Sequence, residues 1–93
     1  MVHYHTVVIL GIDPGSKATG LAILTNGSLA HAEALNLDKL TEAQITDHLF
    51  MLKHEHGIDE VCMENQPSGG RGHAATWASK ALKRCLRFAN FPK

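Results

Sequence analysis

The chain has 93 residues, nine acidic and nine basic side chains, and a formal net charge of zero. Its length allows one domain, residues 1–93, and no apolar run is longer than Val7 to Leu10, which is too short to cross a bilayer. The N-terminus lacks the pattern of a signal peptide, so we expect a cytoplasmic protein. Cys62 and Cys85 have no Cys-x-x-Cys spacing, which argues against a disulfide framework and a zinc site and favours two buried thiols.

The first predicted element is a strand over TVVILGID, residues 6–13. Its β-branched run has no polar alternation, which predicts a central strand that is buried on both faces. The strand delivers Asp13 into a turn that contains proline, glycine and serine. A carboxylate at this position is the first candidate functional group.

Two further strands are predicted over TGLAILT, residues 19–25, and SLAHAEAL, residues 28–35. They are separated by Asn26-Gly27, the strongest short hairpin signal, so we expect antiparallel neighbours. The imperfect alternation of polar and apolar residues in the third strand predicts an edge position.

The next segment changes to helical spacing. Thr41 and Gln44 form a predicted capping box, and Gly57 is the predicted end of the helix. The sequence IDEVCMEN then returns to strand character and ends near Glu64. A glycine-rich loop that contains Arg71 follows. The last segment, AATWASKALKRCLRFANF, predicts an amphipathic helix that Pro92 ends. Its predicted apolar side carries Ala74, Ala78, Ala81, Leu82, Cys85 and Ala89.

The predicted order is therefore β-β-β-α-β-α, an α/β fold with a mixed sheet. Strands 1 to 3 are antiparallel, and the helix before strand 4 acts as a crossover that makes strand 4 parallel to strand 1. The carboxyl ends of parallel strands meet at one edge of a sheet, where ligands of open α/β sheets bind. We therefore expect Asp13 and Glu64 to lie close together.

Two neighbouring carboxylates repel each other unless a cation lies between them. Mg²⁺ is suited to such a site, because it takes oxygen ligands from one or two carboxylates, waters and phosphates, and it can promote phosphodiester hydrolysis. The alternative is structural: Asp before Pro-Gly is a common turn residue, and Glu at a strand end is often solvated. The spacing alone leaves both interpretations open.

The segment ILGIDPGSKATGLAIL resembles the first motif of RuvC-like Holliday junction resolvases, which belong to the ribonuclease-H-like superfamily. DEVCMENQPSGGRG is similar to their second motif, and the resemblance extends over residues 8–87. It implies that Asp13 and Glu64 are catalytic ligands of Mg²⁺ or Mn²⁺. It also implies a homodimer that cuts branched DNA by nicking two opposing strands.

The sequence departs from this family after Glu64, because no Asp or Glu follows. The family has a further strand and helices there, and a later helix supplies the third and fourth acidic ligands. We expect an incomplete domain, either a fragment or a divergent member without cleavage activity; completion of the site by another subunit is the third explanation.

Basic residues dominate the same part of the chain. Lys80, Lys83, Arg84 and Arg87 share one face of the predicted last helix, so they are candidates for DNA binding or for a solvated surface. Arg71 in its loop and Ser16 and Lys17 in the first turn are further candidates for phosphate contacts. Structural roles in a loop tip and a turn are equally compatible with the sequence.

Two other functions are compatible with the pattern. A non-catalytic DNA-binding or assembly module would keep the fold and the basic helix but make no use of Asp13 and Glu64. An actin-like ATPase also begins with a hairpin around GID, but it needs a second phosphate loop and an adenosine pocket for which 93 residues leave no room. Trp77 could stack on an unpaired base, although core packing or a dimer contact is the more common role.

Overall fold

The computed structural model describes residues 6–63 and 73–91. The observed order matches the predicted β-β-β-α-β-α and adds a short 3₁₀ helix, which the sequence reasoning missed. The elements are β1 (Val8–Asp13), β2 (Thr19–Thr25), β3 (Ser28–Leu35), the 3₁₀ helix (Leu37–Lys39), α1 (Glu42–His56), β4 (Glu60–Met63) and α2 (His73–Phe88).

The strands form one mixed sheet in the order β3-β2-β1-β4. β1 pairs with β2 and β2 with β3 in antiparallel fashion, whereas β1 and β4 are parallel. Asn26 and Gly27 both have positive φ, at 50° and 83°, as a two-residue hairpin turn that follows the twist of its strands requires. The predicted α/β fold class, the central β1 and the edge position of β3 are confirmed.

Both α-helices pack against the same face of the sheet. Side chains of β1 and β2 join those of α1 and α2 in one hydrophobic cluster, which includes Leu10, Ile23, Leu49 and Leu82. On the other face of β1, Ile9 is only half-buried. The prediction that β1 is buried on both faces is therefore wrong for the described residues, because their two helices cover one face only.

The sequence explains where α1 begins and where both helices end. At the start of α1, the Gln44 amide donates to the Thr41 hydroxyl at 3.1 Å, and the Gln44 side chain accepts from the Thr41 amide at 2.9 Å. Gly57 ends α1 in the left-handed conformation. α2 ends at Phe88, and Asn90 then adopts a φ of 63°, so Asn90 terminates the helix. Pro92, which was predicted to end it, lies outside the described residues.

The two cysteines have different environments. Cys85 is buried in α2, where its thiol donates to the Glu42 carbonyl oxygen at 3.5 Å, and burial raises its pKa. Cys62 in β4 is exposed, so the prediction of two buried thiols is wrong for this residue. Side chains of the exposed face of β4 have no helix above them in the described part of the chain. Across the same residues, no helix combines the length and apolar character needed to span a membrane.

Candidate functional site

Asp13 is the last residue of β1, and its side chain is exposed. It pairs across the sheet with Gly20 of β2, while the preceding residue, Ile12, pairs with Met63 at the end of β4. Asp13 therefore lies at the edge where both parallel strands reach their carboxyl ends. Glu64, the other predicted ligand, follows Met63 in sequence and lies outside the described residues.

The turn after Asp13 is fastened by a buried threonine. The Gly15 amide donates to Thr19 Oγ1 at 3.1 Å, and the same hydroxyl donates to the Gly15 carbonyl oxygen at 2.6 Å. Thr19 is completely buried at the start of β2. A Cβ atom on Gly15 would lie 2.4 Å from the Ala18 carbonyl oxygen, so the closed turn requires glycine at this position.

A second tie connects this turn to the 3₁₀ helix. The Asp38 amide donates to the Ser16 carbonyl oxygen at 3.2 Å and to Asn36 Oδ1 at 3.0 Å. Ser16 is half-buried and Lys17 is exposed. The turn therefore presents the Lys17 side chain to solvent near Asp13, which suits the predicted contact with phosphate but does not distinguish it from an ordinary surface position.

An open depression of about 650 Å³ extends from Asp13 over the uncovered face of the sheet. Its floor is a row of small residues, one from each strand: Ala32, Ala22, Gly11 and Cys62. Small side chains keep this face shallow, so a large ligand or a protein segment can approach the sheet backbone beside Asp13.

The donor type at Asp13 is compatible with a divalent metal. Mg²⁺ prefers hard oxygen ligands and commonly binds proteins through one or two carboxylates while it keeps several waters. Within residues 6–63 and 73–91, however, no group of three or more His, Cys, Asp or Glu side chains is arranged to hold a metal ion. Asp13 thus fits as one ligand of a site whose second predicted carboxylate, Glu64, is outside the described part.

The basic residues of α2 differ in their surroundings. Arg84 makes a two-pronged ion pair with Glu42 of α1, at 3.1 Å from Nε and 2.9 Å from Nη2, and this hydrogen bonding lowers the pKa of Glu42. Lys83 and Arg87 are exposed and line a groove of about 720 Å³ beside β4. Lys80 is also exposed.

Trp77 and Arg71 were the other two candidates for contacts with DNA. Trp77 is 46% exposed and is not part of the hydrophobic core that the described residues form. Arg71 lies outside the described residues.

A polar cluster between β3 and α1 was missed by the sequence reasoning. Glu33 Oε2 lies 2.6 Å from His31 Nε2, and its other oxygen contacts His48 Nε2 of α1. Burial acts to raise the pKa of Glu33, but the hydrogen bonds with the two histidines outweigh it and the pKa is lowered. Strand periodicity alone could have placed His31 and Glu33 on one face, but not opposite His48.

No protein-family model matches the chain, and no curated protein matches it in sequence. Solved structures do match. The RuvC of Thermus thermophilus in complex with a Holliday junction substrate aligns with a TM-score of 0.70 and 21% identity, over 92% of this chain and 61% of that one. A second Thermus thermophilus RuvC structure has a TM-score of 0.66 at the same identity and coverage. YeaZ from Pseudomonas aeruginosa aligns at 0.51 with 18% identity, over 92% of this chain and 41% of that one.

The chain therefore spans 61% of the length of the RuvC chains that it matches. At this identity the likeness concerns the fold, and it agrees with the sheet order and with the parallel pairing of β1 and β4. The chain has the RuvC-like form of the ribonuclease-H-like α/β fold.

Proposed function

We propose that this chain belongs to a metal-dependent endonuclease that acts on branched DNA. The observation that carries the proposal is the exposed carboxylate of Asp13 at the shared carboxyl edge of β1 and β4. The likeness to a RuvC solved with a Holliday junction substrate supports branched DNA as the substrate class. We expect the active form to be a homodimer, because two opposing strands of a junction require two sites.

In this proposal Asp13 and Glu64 bind Mg²⁺ or Mn²⁺. Met63, which precedes Glu64 in sequence, pairs with Ile12, which precedes Asp13. The chemistry that a bound ion would supply is activation of a water molecule and stabilisation of the leaving oxygen of a phosphodiester. Asp13 would hold the ion, and the hydrogen-bonded turn that follows restricts the backbone from which this carboxylate projects.

The remaining predicted residues would contact DNA phosphates. Ser16 and Lys17 follow Asp13 in the turn, and Arg71 follows Glu64 in the predicted glycine-rich loop. The basic side chains of α2 would bind the DNA backbone farther along. On α2, the side chains of Lys80, Lys83 and Arg87 are exposed. Arg84 would have to break its ion pair with Glu42 before it could bind a phosphate. Binding of this type releases counterions and falls steeply as salt increases.

The test is cleavage of an end-labelled four-way DNA junction with Mg²⁺, Mn²⁺ or chelator. A working site in this chain predicts symmetric, metal-dependent nicks in the wild type and at least a ~100-fold loss in Asp13→Asn, because misplacing the reacting groups costs about that much. A fragment or divergent member predicts junction binding without nicks. Asp47→Asn, at an exposed position of α1, is the matched control and should cut normally.

The two interpretations of the fold give different results in this assay. The non-catalytic module predicts that the wild type binds the junction in chelator but does not cut it. Binding should then survive Asp13→Asn and weaken when Lys80→Ala is combined with Lys83→Ala. A wild type that neither cuts nor binds the junction contradicts both.

A further inference from the structure

We propose that Thr19 is a positioning residue that fixes the Asp13 carboxylate for the divalent ion; this inference rests on the proposed function. Thr19 does not touch the carboxylate. It acts through the backbone of Gly15, which its hydroxyl holds as both donor and acceptor, at 2.6 Å and 3.1 Å.

The two hydrogen bonds between Thr19 and Gly15, called the clasp below, determine the conformation of the chain on the carboxyl side of Asp13. Proline at position 14 has a fixed φ and also restricts the backbone of the residue before it. On the other side, Asp13 is held in the β1 ladder opposite Gly20. Fastening Gly15 removes the remaining freedom between these two constraints, so the Cα–Cβ direction of Asp13 is set before any ligand binds.

Thr19 is itself well anchored. It is completely buried, and it pairs with Leu35 of β3 at the start of β2. A buried hydroxyl is costly unless its hydrogen-bonding capacity is used. Packing alone would be served by valine, which has the same shape, so the polar group at this position is explained by its two bonds to Gly15.

The clasp also explains the close approach inside the turn. Drawing Gly15 toward Thr19 brings the Ala18 carbonyl oxygen to a position where a Cβ atom of residue 15 would lie only 2.4 Å away. The tight turn and the buried threonine therefore act together, and their combined effect is to orient the exposed side chain of Asp13.

The test compares Thr19→Val, which removes the hydroxyl, with Thr19→Ser, which keeps it. Thr25→Val is the control, because Thr25 belongs to the same strand and the described residues show no hydrogen bond from its hydroxyl. Two quantities are measured on each full-length variant: Mn²⁺ affinity by titration calorimetry, and hydrogen exchange of the Gly15 amide by NMR without metal. Circular dichroism establishes that each variant is folded.

We expect Thr19→Val to weaken Mn²⁺ binding about tenfold, the lower end for loss of an outer-shell partner of a metal site. Exchange of the Gly15 amide should accelerate in the same variant. Thr19→Ser and Thr25→Val should keep the wild-type affinity and exchange rate.

Folded Thr19→Val with wild-type Mn²⁺ affinity overturns the positioning role. If Thr19→Val does not fold, Thr19→Ala replaces it and is compared with Thr19→Ser, which differs from it only by the hydroxyl. If only the serine variant folds, the hydroxyl serves stability rather than positioning, and the inference is again overturned. Absence of Mn²⁺ binding by the wild type contradicts the proposed function instead, and the Gly15 exchange rates then still report whether the clasp exists.

Discussion

At the scale of single residues, the turn after β1 depends on glycine for steric reasons. Gly15 and Gly11 both lie near backbone carbonyl oxygens, but the two contacts differ. A Cβ atom on Gly15 would lie 2.4 Å from the Ala18 oxygen, whereas one on Gly11 would lie 3.7 Å from the Ala22 oxygen, an ordinary contact. The same substitution therefore has different consequences at the two sites.

We predict that Gly15→Ala lowers the free energy of unfolding by about 1–3 kcal/mol, the usual cost of overpacking. Gly11→Ala should change it by less than about 0.5 kcal/mol, or raise it, because alanine suits a strand better than glycine. Urea denaturation of both variants measures the difference. Equal effects of the two substitutions would contradict the steric explanation.

At the scale of elements, the edge strand β3 is tied to α1 by Glu33, His31 and His48. His56 of α1 also lies near, with its ring centroid 5.6 Å from that of His31. The folded state lowers the pKa of Glu33. The stability that this carboxylate contributes is thus complete above its unfolded pKa and is lost as the pH falls through the lower folded value.

We predict that the melting temperature falls less steeply in Glu33→Gln than in the wild type as the pH is lowered below about 4.3, the ordinary glutamate pKa. Glu55→Gln, at an exposed position of α1, should retain the wild-type slope. Thermal denaturation followed by circular dichroism over this pH range provides the comparison. Parallel curves for the wild type and Glu33→Gln would show that the cluster does not contribute.

The elements themselves could be predicted because their signals are local. The hairpin follows from Asn26-Gly27, and the start of α1 from Thr41 and Gln44, each of which needs only neighbours in sequence. The uncovered face of β1 could not be predicted, because an apolar strand does not reveal how many layers surround it.

The candidate site was predictable to a similar extent. Asp13 was identified from its turn and from the parallel pairing of the strand, and its edge position is observed. Thr19 was missed because threonine at the start of a strand has high β-propensity in any case, and only the three-dimensional structure shows where its hydroxyl points. The partnership of Arg84 with Glu42 was missed because the two residues lie on different helices.

At the scale of the whole molecule, the zero net charge conceals an uneven distribution. All nine acids precede residue 65, and six of the nine basic residues follow it. The Arg84–Glu42 ion pair joins these two parts across α1 and α2. Because of this ion pair, the charge of Arg84 is partly neutralised on the basic side of α2, and the Glu42 carboxylate lies next to that side.

We predict that Glu42→Gln increases affinity for a four-way DNA junction in chelator, because Arg84 becomes available to phosphate. The slope of log affinity against log salt should steepen by about 1, the contribution of one further phosphate contact. Fluorescence anisotropy over a salt series measures both quantities. Glu55→Gln removes the same charge without releasing an arginine, so an equal change in that control would attribute the effect to net charge alone.

The polar cluster on β3 also protects the fold from misassembly. In a strand, neighbouring side chains point to opposite faces, so a slip of β3 by one residue would turn His31 and Glu33 away from α1 and place alanines there. The contacts with His48 would be lost together. Because a change of register would lose these contacts, β3 resists slippage. The same cost opposes domain swapping and pairing with the edge strand of another copy, to which exposed edge strands are prone.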